Sequence, residues 1–296
     1  MSGLLLVAPL LVSCAGVLLA WWVPKVASPA TCVRTLTAAA VLSAASILAA
    51  LVLVMLAAAS RIHSVSHLLH WCDGLVPGPH GVSLWAGVAA GLALGFGCWR
   101  AAALGRVVAR ERRHFAAVRG VHVVEAAGPT AFAVPGRPGG IVLGRALLAE
   151  LRADERAAVL AHERAHLELG HHRYVLAAEL AAAAFPFLGL LARQVRFNTE
   201  RWADEAAAAH LGSRSLVARA IARAALLGEG AATPRLGLAV AHGDTVARVH
   251  ALVHPRRTAN WPAESVSVVA ALLVAFAGTS VQVHHLAAFV MHICPT

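Results

Sequence analysis

Apolar residues run almost unbroken over 4–23, 36–59 and 82–104, and again over 266–290. A bilayer core needs about 20 apolar residues in helical form, so each run predicts a transmembrane helix. The only charge in the first three is Arg100, close enough to the end of its run for the side chain to reach the interface. His284 and His285 fall towards the far end of the last run. The first run is read as a retained span, because it lacks a basic start and a small-residue cleavage site before Trp21, Trp22 and Pro24.

Between the third and last runs the pattern changes. Short β-rich stretches at 121–125, 131–134 and 140–143, separated by Gly and Pro, predict a small sheet. Such a sheet either offers an edge strand to an extended polypeptide or merely covers neighbouring helices; the pattern supports both. Two helices follow, with a break near Arg152 and Ala153 and with Asp154 as N-cap of the second. Tyr174 to Ala192 is again apolar but is interrupted by Glu179 and Pro186. A helical, Ala- and Arg-rich stretch covers 193–227. The looser segment 228–264, with a short helix near Thr245 to Val253, reads as a linker. The expected fold is mainly α, a polytopic membrane protein with a small β-sheet. It divides into three spans (1–105), a middle domain (106–260) and a C-terminal span (266–290).

Composition sharpens this picture. The chain has 296 residues, is 59% hydrophobic and only 14% charged, which a soluble domain rarely is. Arg106, Arg110, Arg112, Arg113 and Arg119 cluster after the third run. By the positive-inside rule the middle domain is cytoplasmic, with both termini outside a cell membrane crossed several times. The net charge of +10 is assigned to the membrane surface rather than to direct nucleic-acid binding, since there is no nucleic-acid motif and a single Tyr for stacking. Five cysteines show no metal-finger spacing. Cys72 and Cys294 fall on the same outer side, where a disulfide is permitted.

Candidate chemistry lies in AHERAHLELGHH, at 161–172, and in ERWAD, which begins at Glu200. Residues four apart on a helix share a face, so His162 and His166 can present two imidazoles to one metal ion. Glu163 between them suits a general base. A catalytic zinc keeps three protein ligands, and Glu200 is the candidate third; Asp204, one turn on, is placed to accept the spare N–H of a ligand histidine. If 174–192 crossed the bilayer, His166 and Glu200 would lie on opposite sides, so that run is expected to fold back as a membrane-associated hairpin. His171 and His172 are read as helix-end histidines favoured by the macrodipole, with oxyanion stabilisation as the alternative.

The stretch AFAVPGRPGGIVLGRALLAELRADERAAVLAHERAHLELGHH, the apolar run and ERWADEAA resemble the BlaR/MecR-type membrane zinc metallopeptidases, with HtpX-type membrane peptidases close behind. HExxH followed by ExxxD is the gluzincin pattern. The resemblance implies a zincin-like metallopeptidase domain between transmembrane helices, with one Zn2+ per chain held by His162, His166 and Glu200. It further implies that Glu163 is the catalytic base and that Asp204 supports the site. The substrate it implies is a protein such as a transcriptional repressor, cleaved beside the lipid bilayer. ARVHALVHPRR, before the last run, favours the BlaR/MecR side. Direct β-lactam sensing is not expected, since the chain ends soon after Val290. The alternatives are quality-control proteolysis and a non-enzymatic scaffold with a structural zinc, for which Cys32 is the nearest soft fourth ligand. His63, His67 and His70, at helical spacing in the loop 60–81, are read as interfacial histidines, with an external metal or pH-sensing site as the alternative.

Overall fold

The computed structural model describes residues 20–59, 83–125, 130–136, 139–227 and 242–254. All but the end of the first expected span, the last expected span, His63, His67, His70, Cys72 and Cys294 lie outside these residues. The described chain is mainly helical, with one three-stranded sheet.

Two helices, α1 (Pro29–Ala59) and α2 (Leu84–His114), are long and apolar enough to cross a membrane. Both overrun the expected boundaries. Proline lacks the N–H that a first helical turn leaves unused, so α1 starts at Pro29 and takes in Arg34, which lies between the first two expected spans. The far end of α2 carries Arg112, Arg113 and His114 in its last turn, where cations complement the exposed carbonyls. On α2, Trp85, Val88, Leu92, Phe96 and Trp99 are all exposed and recur at helical spacing, forming one apolar stripe.

The strands β1 (Gly120–Val124), β2 (Ala131–Val134) and β3 (Gly140–Gly144) match the expected runs to within a residue. Their order is β1-β3-β2, with β3 parallel to β1 and antiparallel to β2. The central strand is buried throughout, whereas β1 is exposed along its length. Phe132 and Val134 of β2 pack on Val142, with Phe115 and Val118 against them. The Gly144 N–H donates to the Thr130 carbonyl, which fixes the hydrogen-bonding phase of the β2–β3 pair. By alternation, the backbone groups of Ala131 and Ala133 point away from β3, along the edge of β2 that no other described strand pairs with.

The rest is helical: α3 (Arg145–Glu150), α4 (Ala153–Glu168), α5 (His171–Ala184), α6 (Gly189–Leu211), α7 (Arg214–Leu227) and α8 (His242–Val253). The break before α4 falls where expected, but Asp154 is not its cap. Arg152 holds that position, and its backbone N–H donates to the Glu155 carboxylate at 3.0 Å. Asp154 instead sits in the first turn, where a negative charge still suits the helix dipole.

The apolar run 174–192 turns back on itself. The helix α5 stops at Ala184, Pro186 opens a single 3-10 turn over Pro186–Leu188, and α6 returns. Proline there fixes φ and has no N–H to continue the ladder. One apolar core joins α1, α5 and the start of α6 through Val33, Leu36, Ala178, Leu188, Leu191 and Val195. A second joins α4, α7, α8 and the end of α6 through Ala158, Ala207, Val217 and Leu252. The middle of α6 therefore lies where the two cores meet.

The hairpin approaches α2 at Gly97, where a Cβ would stand 2.9 Å from the Ala184 carbonyl oxygen. A Gly97→Val chain is expected to lose about 1–3 kcal/mol from forced separation of α2 and α5. Gly95→Val, where nothing lies within 4 Å of the added carbon, is the control and should leave the thermal midpoint in detergent unchanged.

Candidate metal centre

The helix α4 carries His162 and His166 one turn apart, and α6, packed against it, carries Glu200 and Asp204 in the same relation. His162 Nε2 and His166 Nε2 are 3.0 Å apart. Glu200 closes the triangle, with Oε2 3.4 Å from His162 Nε2 and Oε1 3.5 Å from His166 Nε2. Ligand atoms about 2.0–2.1 Å from one tetrahedral centre lie roughly 3.3 Å from each other, so the two imidazole nitrogens and the Glu200 carboxylate fit around a single ion. Glu200 Oε1 is buried and has no hydrogen-bond partner among the described residues, as an oxygen reserved for a cation would be. His162, His166 and Glu200 are thus a cluster that could hold a metal ion. Cys32 is not part of it: its thiol faces the Val23 and Ala27 carbonyls at 3.6 Å.

Behind the triangle stands a charge network. Asp204 Oδ1 lies 2.9 Å from His162 Nδ1, an ion-pair contact rather than an aligned hydrogen bond. Arg248, from α8, donates through Nε and Nη2 to the two Asp204 oxygens at 2.7 Å each, and its Nη1 lies 3.0 Å from Glu200 Oε2. Only 3% of Arg248 is exposed. Burial would raise the pKa of the Glu200 carboxyl, but Arg248 and the two imidazoles outweigh it and hold it at about 2. Burial likewise works against the His162 imidazolium, yet the Asp204 and Glu200 carboxylates push its pKa up to about 10 in the metal-free protein. His166 is the opposite case: burial lowers it to about 3.

Glu163 is also buried, and burial pushes its carboxyl up to about 7; the Glu200 carboxylate adds to this, against the opposing effect of His162. The Ala133 N–H, on the free edge of β2, is the backbone group that acts on it.

All five residues singled out in the sequence meet in this region. Arg248 was not foreseen, and His171 was expected in another role. Arg248 falls in the segment expected to be a linker, yet it occupies the buried face of α8 in phase with Thr245 and Leu252. An arginine in register with apolar positions was the available signal. His171 is not a helix-end residue favoured by the macrodipole. Gly170, at φ 64°, ends α4 in the left-handed conformation, so His171 opens α5, fully buried, at the end of a helix that disfavours a cation.

The geometry defines a protein that could bind one metal ion through two histidines and a glutamate, with a second glutamate alongside. The sequence model of peptidase family M48 matches residues 99–227, a stretch that includes all three members of the cluster and supports a metallopeptidase of that family. M48 family peptidases are zinc metallopeptidases, which agrees with the cluster. No curated protein and no solved structure matches the chain.

Removing Arg248 should leave two buried carboxylates without their main counter-charge. Arg248→Met is expected to destabilise the protein by about 3–5 kcal/mol, read as a fall in thermal midpoint, with Asp204→Asn in the same chain restoring part of it. A second expectation concerns pH. A carboxyl raised from 4.5 to about 7 stays protonated in the folded state while it ionises in the unfolded chain, so its contribution is present below pH 4.5 and lost as pH rises through 7. Metal-free Glu163→Gln should therefore be more stable than the unsubstituted chain at pH 8, by up to about 3 kcal/mol, with the gap closing by pH 4.5. Thermal unfolding at the two pH values checks it.

Proposed function

We propose that this protein is an integral membrane zinc endopeptidase that hydrolyses a peptide bond on the cytoplasmic side of the membrane. The observation that carries the reading is the His162–His166–Glu200 triangle with the buried Glu163 next in sequence to His162. The exposed apolar stripe of α2 and the length of α1 support residence in the bilayer. The basic residues that follow the stripe support a cytoplasmic middle domain.

Zinc held by His162, His166 and Glu200 would supply Lewis acidity, acidifying water and polarising the scissile carbonyl. Glu163, buried next to His162, takes the proton of the attacking water and passes it to the leaving amine nitrogen. Asp204 orients His162, and Arg248 keeps Asp204 and Glu200 ionised. The free edge of β2 presents the Ala131 backbone groups and the Ala133 carbonyl beside Glu163, where an extended substrate strand can pair with them.

The substrate in this reading is a regulatory protein such as a transcriptional repressor, as the BlaR/MecR-like motifs suggest. The edge also favours a second reading. Recognition through the backbone of two alanine positions selects little by side chain, which suits trimming of unfolded membrane proteins. Cleavage of one defined protein against broad cleavage of unfolded chains separates the two.

Purified in detergent, the protein is expected to hold about one zinc per chain. Glu200→Ala should lose it, whereas Glu163→Gln should keep it and lose proteolysis of an unfolded substrate. Zinc retained by Glu200→Ala would show that the third ligand is another residue; undiminished cleavage by Glu163→Gln would remove that residue from the reaction.

A further inference from the structure

His162 and His166 differ in what stands behind their rings. Behind His162 is the Asp204 carboxylate, itself bound by Arg248. Behind His166 there is another imidazole: His171 Nδ1 lies 3.0 Å from His166 Nδ1. None of the His171 side chain is exposed. The left-handed turn at Gly170 brings it there, by starting α5 immediately beneath the end of α4. Its ring lies against Trp202 of α6, with centroids 4.7 Å apart, and Arg34 of α1 lies over that Trp202 ring at 5.2 Å.

The proton count is restrictive. A neutral histidine that offers Nε2 to a metal carries its one proton on Nδ1. Two nitrogens 3.0 Å apart share a single proton, so the His166 Nδ1–H must donate and His171 Nδ1 must accept. His171 then carries its own proton on Nε2. That atom is buried with no hydrogen-bond partner among the described residues, so the bond to His166 is what sets the tautomer.

We propose that His171 is the positioning residue of His166: a neutral imidazole that fixes the ring orientation and tautomer of the second histidine ligand, in the place where the first has a carboxylate. Trp202 is the wall that holds it there. The proposal rests on the zinc-site reading above. It makes the two ligands unequal, since a neutral acceptor leaves His166 a weaker donor to the metal than His162.

The test uses the full chain in detergent, titrated with zinc and with Co(II) against a competing chelator. His171→Phe keeps an aromatic ring against Trp202 but has no acceptor; His171→Asn supplies an acceptor oxygen near the position of Nδ1. His171→Phe is expected to weaken zinc binding by about 10–100-fold and to alter the visible Co(II) absorption, while the thermal midpoint of the metal-free protein stays in place. His171→Asn should recover most of the affinity and the unsubstituted spectrum. Binding by His171→Phe equal to the unsubstituted chain would overturn the proposal. So would a loss of affinity that follows a fall in the metal-free midpoint and is not rescued by Asn, since that is a packing effect. An unsubstituted chain that binds no zinc would remove the metal reading and this role with it, a result distinct from either.

Discussion

Two carboxylates one turn apart in the interior of α6 are the constraint around which the rest of this structure is arranged. Glu200 and Asp204 are at most 5% exposed, and each buried charge costs several kcal/mol unless it is met by opposite charge and hydrogen bonds. The meeting groups come from other elements: imidazoles from α4, a guanidinium from α8. Packing of α4 and α8 around α6 is therefore an electrostatic requirement as well as an apolar one. Glu163 shows what happens without such provision: facing burial and a like charge, its carboxyl moves the other way, towards neutrality.

Much of this could be read from the sequence wherever the determining contacts are local. The three strands were legible because Gly and Pro mark their ends, and the break before α4 because the apolar period is interrupted there. The HExxH spacing places two rings on one face of a helix whatever surrounds it. The turn in the 174–192 run followed from a different kind of reasoning, namely that two halves of one site must lie on the same side of any membrane. Arg248 was missed because its partner is 44 positions away and its surroundings are rich in Pro and Gly. His171 was named but given another role, because its placement depends on one backbone angle at Gly170, which no periodicity reveals.

The helix boundaries failed for a related reason. Hydropathy marks where a segment is apolar, not where its hydrogen-bond ladder stops. The helix α1 begins before its apolar run and α2 continues past its own, so that Arg34 reaches Trp202 and the basic residues stay helical.

The stretch that matches the peptidase family, 99–227, includes the cluster residues but leaves out α1 and α8. In the folded protein those two helices cover the apolar faces at opposite ends of α6, and one of them brings the cation that offsets its acids. The stretch matched by sequence thus lacks two helices on which the packing and charge balance of α6 depend. An apolar wall at one end of α6 and a single inward arginine at the other are therefore what the matched stretch takes from outside itself.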